Sequence, residues 1–78
     1  MDKEIEVVAL EDNLDYVILM ELSIYNNKYM VLSREDDHNV VVVRKIINEN
    51  NKEYLVKVSK EVEDKVKEKF VHDFVTLQ

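Results

Sequence analysis

The chain has 78 residues, with 17 acids against 11 Lys and Arg, a net charge of −6, and no glycine, proline or cysteine. That length fits one small domain spanning 1–78, and a hydrophobic share of 46% is enough for a core and too much for a disordered tail. The lack of cysteine excludes a disulfide framework, a thiolate zinc site and a thiol nucleophile. The lack of glycine excludes the phosphate loops of nucleotide-binding folds, whose backbone must approach phosphate closely.

The opening MDKEIEVV carries acids where a secretion signal needs a basic and then an apolar run. The longest apolar runs, at 16–20 and 40–43, are far shorter than a membrane span. The expectation is a cytoplasmic protein with no membrane association.

In chain order, 5–10 (IEVVAL), 16–25 (YVILMELSIY), 28–33 (KYMVLS), 40–47 (VVVVRKII) and 53–58 (EYLVKV) are rich in β-branched and aromatic residues and read as strands. Between them lie 11–15 (EDNLD), Asn26-Asn27, 34–39 (REDDHN) and 48–52 (NENNK). Asparagine tolerates positive φ better than other non-glycine residues, so in this chain it must supply the left-handed turn positions. A two-residue turn at Asn26-Asn27 pairs Ile24 with Tyr29 and Leu22 with Val31. Met20, Leu22, Ile24, Tyr29 and Val31 then share one apolar face, while Met30 and Leu32 stand as apolar exceptions on the other. This pattern accounts for the tyrosines around the turn without a ligand.

After Val58 the period changes from 2 to 3.6. Val62, Val66, Phe70, Phe74 and Leu77 fall within one arc of about 120° on a helical wheel. Ser59 is placed to cap the helix, and Glu61, Glu63 and Asp64 put negative charge where the helix dipole favours it. The fold expected is therefore α+β: an antiparallel, meander-like sheet of about five strands, with one C-terminal amphipathic helix over residues 60–75 packed on one face.

Few groups invite chemistry. Glu35, Asp36, Asp37 and His38 are adjacent in one segment, but consecutive side chains do not converge easily on an ion, and the spacing is not that of an EF-hand loop. His38 and His72 are not placed as a ligand pair, because His72 falls away from the apolar stripe of its helix. None of Ser23, Ser33, Ser59 and Thr76 lies in a nucleophile elbow. No catalytic residue, no metal site and no cofactor is expected, and the chain does not read as an enzyme. Lys60, Lys65, Lys67 and Lys69 alternate with acids, as solvated helix faces do, and the overall negative charge repels phosphate, so nucleic-acid binding is not expected.

The order of these segments resembles the YrzB-like family, small acidic bacterial proteins forming a conserved domain of unknown function. The similar positions are Leu10-Glu11-Asp12-Asn13, Lys28-Tyr29-Met30-Val31-Leu32, Val42-Val43-Arg44-Lys45-Ile46, Asn51-Lys52-Glu53-Tyr54-Leu55, and Val58 through Phe70. The resemblance covers nearly the whole chain. The turns here use asparagine where such relatives often have glycine, and the last helix is richer in lysine. The family brings no catalytic residue or ligand to carry over.

Charge is uneven along the chain. Residues 1–37 hold ten acids against three bases, net −7, and residues 38–78 hold seven against eight, net +1. The acidic half suggests a small interaction module that docks on a basic protein partner through Glu11, Asp12, Asp15, Glu35, Asp36 and Asp37, together with Glu4 and Glu6, or else through an exposed strand edge. The alternative is an acidic inhibitor or nucleic-acid mimic that fills a basic groove. A mimic needs rows of carboxylates at phosphate-like intervals, whereas a docking module needs an apolar patch with a polar rim.

Overall fold

A computed structural model describes residues 6–76 of the backbone and the side chains of residues 6–73. Five strands, β1 (Val7–Ala9), β2 (Asp15–Ile24), β3 (Asn27–Arg34), β4 (Asp37–Glu49) and β5 (Lys52–Lys57), precede one helix, α1 (Lys60–Thr76). The strands lie side by side in sequence order, each antiparallel to the next. This is the α+β meander expected from the sequence. Ile5, Glu4 and Leu77 lie outside the described residues, as does the side chain of Phe74.

The turns are built as the missing glycines require. Positive φ occurs at Asn13 (63°), Asn26 (68°), Asn50 (53°) and Asn51 (66°), but also at Tyr25 (50°). In the β2–β3 and β4–β5 connections both central residues have φ > 0, the type I′ geometry whose twist matches that of the flanking strands. The first of these turns is Tyr25-Asn26 rather than Asn26-Asn27. Leu22 therefore faces Tyr29 and Met20 faces Val31, while Ile24 faces Asn27. Moving the turn by one residue slides the register by two, which leaves every side chain on its expected face. Hydrophobic alternation is blind to such a slip.

The 34–39 segment is not the loop expected. Only Glu35 and Asp36 lie outside strands, and β4 already begins at Asp37. An Asp37 carboxylate oxygen accepts a hydrogen bond from the Asn39 amide at 3.1 Å, and an irregularity between Ser33 and Arg34 takes up the extra residues. Local side-chain bonding lets a polar sequence run as extended chain.

The sheet buries both faces. On one, α1 lies across β2, β3 and β4, and Val66 is fully buried against Leu22, Tyr29, Val31 and Val43, with Val62 and Phe70 packed beside it. Ser59 caps this helix: its hydroxyl accepts from the Val62 amide at 3.3 Å, and its carbonyl from the Glu63 amide at 2.9 Å. On the other face the sheet curls so that Leu10 and Val8, from the first strand and its end, pack with Tyr16, Met30, Leu32, Ile46 and Leu55. Met30 and Leu32, apolar exceptions to a one-faced sheet, belong to this second core.

A one-residue bulge at Leu19 serves both faces. The register shifts between Ile18 and Met20, so Tyr16 and Ile18 enter the concave core while Met20, Leu22 and Ile24 enter the core beneath the helix. Leu19 itself is left exposed. Bulges bend a strand and increase its twist, which is what a curled sheet needs.

Candidate functional site: the acidic end of the sheet

Of the eight acidic residues singled out from the sequence, Glu4 lies outside the described residues, Glu6 is exposed just ahead of β1, and the other six fall into two groups with Asp37 apart. Glu11 and Asp12 are tied into the fold. In the connection after β1, the Asn13 amide donates to the Leu10 carbonyl (2.9 Å), and the Leu10 amide to the Leu14 carbonyl (3.2 Å). Asp12 fastens this turn, with one carboxylate oxygen accepting from the Leu14 amide at 3.0 Å and the other from the Tyr16 hydroxyl at 2.7 Å. The Tyr16 hydrogen bond, followed by that from Leu14, holds the Asp12 carboxyl below its ordinary value of 3.8, and the same bond raises the Tyr16 phenol.

Glu11 closes the concave core. Its Oε1 accepts from Arg44 Nη2 at 2.6 Å and lies 3.8 Å from Lys57 Nζ, so it joins the first connection to β4 and β5. Its carboxyl is held below the ordinary 4.5 by hydrogen bonding from its own main-chain amide and then by Arg44 and Lys57, with partial desolvation opposing. The Arg44 side chain is only 11% exposed; its Nη1 donates to the Val43 carbonyl at 2.9 Å, and its Nε is buried with no hydrogen-bond partner. Loss of Glu11 would leave a nearly buried cation uncompensated.

The second group gathers at one end of the sheet. The Glu35 amide donates to the Asp15 carbonyl at 3.0 Å, which draws the β3–β4 turn against the start of β2. Asn13, Leu14, Asp15, Glu35 and Asp36 line a shallow open depression of about 320 Å³. Leu14 is 39% exposed there, an apolar surface ringed by carboxylates. Asp36 accepts from Arg34 Nε at 2.5 Å, which raises the Arg34 guanidinium further, while the exposed Glu35 and Asp15 carboxylates have no cation within ion-pair distance among the described residues. Asp37 sits half-buried in β4, outside this depression.

Sequence reasoning missed Leu14 here. The signal was present in EDNLD, where one leucine stands alone among polar turn residues. In the sequence Arg44 is one basic residue inside the strand segment VVVVRKII, and nothing local foretells that it is the partner of Glu11.

Other candidate groups are scattered. His72 is exposed on α1, with Nδ1 3.6 Å from an Asp73 carboxylate oxygen, and Ser33 is buried inside β3. Among the described residues no three His, Asp or Glu side chains converge as a metal site would need. On α1, Lys65, Lys67 and Lys69 lie 3.4–3.7 Å from Glu61, Glu63 and Asp73 one turn away. No helix among the described residues is long and apolar enough to cross a membrane. No family model, curated protein or solved structure matches the chain.

Proposed function

We propose that the chain is a YrzB-like, non-enzymatic interaction module of the bacterial cytoplasm that docks on a basic protein surface through its acidic end. The observation that carries this reading is the exposed Leu14 set among Asp15, Glu35 and Asp36. An apolar contact within a charged rim suits a cationic segment bearing one hydrophobic side chain. The mimic alternative calls for two rows of carboxylates, and the six acids are instead divided between structural bonds and one compact cluster. Nucleic acid is disfavoured as a ligand because the helix lysines already have acidic neighbours and the net charge is −6.

Affinity capture from the source cell at low and high salt, repeated with Asp15→Asn/Glu35→Gln and with Leu14→Ser, tests this reading. Loss of a basic partner in both variants, and its elution as salt rises, is the expected result. A partner retained by both variants and indifferent to salt would refute it. Glu11 and Asp12 are unsuitable for this test because their replacement disturbs the fold.

A further inference from the structure

We infer that a second copy of this chain pairs antiparallel along the free edge of β5, joining two five-stranded sheets into one. Among the described residues, β5 is the last strand of the sheet, and α1 packs on β2, β3 and β4 without reaching it.

The hairpin geometry sets which β5 groups face outward. Glu49 and Lys52 flank the two-residue turn and form a hydrogen-bonded pair, and such pairs alternate along an antiparallel ladder. Lys52, Tyr54 and Val56 therefore spend their main-chain groups on β4, whereas Glu53, Leu55 and Lys57 direct theirs to the open edge. Only residues of like parity can pair across a new antiparallel interface. Of the self-pairings allowed, the one centred on Leu55 uses all three outward residues, setting Leu55 against Leu55 and Glu53 against Lys57 at both ends. It forms about six main-chain hydrogen bonds.

The side chains agree with that register. Glu53, Leu55 and Lys57 face Asn48, Ile46 and Arg44 across the β4–β5 hairpin, and so share the concave face. The Leu55 pair extends the concave core across the two-fold axis, and each Lys57 lies between its own Glu11 and the other copy's Glu53. Opposite charges directly across strands are favourable and like charges are not. β5 also lies in the half of the chain whose net charge is +1, so the acidic front halves stay apart in such a dimer. An isologous contact of this kind closes at two copies.

Sedimentation equilibrium of the full chain from micromolar to millimolar concentration, with amide exchange at both ends of that range, tests the inference. The mass should rise from one chain to two, and the amides of Glu53, Leu55 and Lys57 should gain protection with concentration while that of Tyr54 stays protected throughout. Glu53→Pro removes an outward donor without touching the β4 ladder and should abolish the dimer. Glu53→Lys should weaken it about tenfold, and the Glu53→Lys/Lys57→Glu double variant should restore it. A single-chain mass throughout, or a dimer unaffected by Glu53→Pro and Glu53→Lys, would overturn the inference.

Discussion

The two faces of this sheet are closed by different physics. Beneath α1 the core is made by apolar contacts, with Val31, Val43 and Val66 wholly buried, and the charges of the helix form pairs one turn apart, Glu61–Lys65 exposed and Glu63–Lys67 at its half-buried flank. Among the described residues no helix covers the concave core. It is sealed by the connection between β1 and β2, and its rim carries the Tyr16–Asp12 hydrogen bond and the Arg44–Glu11 ion pair. A small chain can therefore bury both sides of a meander with one helix if the sheet curls, at the cost of placing charged groups at the seam. The helix-covered side is held mainly by hydrophobic burial, and the curled side also depends on ionisation.

The strongest way to break this comparison is to open a cavity in each core. Leu32→Ala removes a fully buried side chain from the concave core and is expected to cost about 2 to 5 kcal/mol. Phe70→Ala removes a larger ring, but that ring is only half-buried, so about 2 kcal/mol is expected, below the usual value for a buried phenylalanine. Urea unfolding followed by circular dichroism would check both. A greater loss for Phe70→Ala than for Leu32→Ala would show that the helix contributes more than its burial implies.

A smaller effect distinguishes the seam from the helix surface. Glu11→Gln keeps an acceptor for Arg44 but removes its counter-charge, and should cost about 1 to 2 kcal/mol, between the values for exposed and buried pairs. Glu61→Gln on the helix should cost only about 0.3 to 0.5 kcal/mol. The same urea titration measures both.

The pH dependence has a defined sign. Glu11 and Asp12 are held below their ordinary values of 4.5 and 3.8, so the stability they add is present above those values and is lost as pH falls through the lower folded ones. Tyr16 is raised above 10.0; its contribution is present below that value and lost as pH rises through the higher folded one. Acid unfolding should begin on the concave side, with chemical shifts of Leu10, Tyr16 and Leu32 changing before those of Val43 and Val66.

The smallest expected effect lies in the turn between β2 and β3, remote from the seam. Tyr25 is 94% exposed and holds φ 50°, a conformation unfavourable for an aromatic residue. Tyr25→Asn should stabilise the domain by about 0.5 to 1 kcal/mol, measured as a higher urea midpoint with an unchanged slope. A destabilised variant would mean that Tyr25 makes a contact worth more than its backbone strain.

Much of the fold was legible because local physics carries it. The strand order of a meander follows from short turns, asparagine marks most of the left-handed positions, and the change of period at Val58 with Ser59 as cap defines the helix. The candidate site was legible only as composition. EDNLD and REDDHN show that acids are present, yet whether an acid is structural or free depends on partners far along the chain, as with Glu11 and Arg44, 33 residues apart.

The sequence by itself determined the number and type of elements, the face that each apolar set shares, and the acidic front half, because these follow from period, propensity and charge. Tertiary structure decided three things that no local pattern contains. The bulge at Leu19 passes β2 from one core to the other, and the curl brings Leu10 against Ile46 and Glu11 against Arg44. The Glu35–Asp15 bond gathers one cluster of carboxylates around Leu14. Each is set by how a twisted sheet closes on itself, and that closure depends on every strand at once.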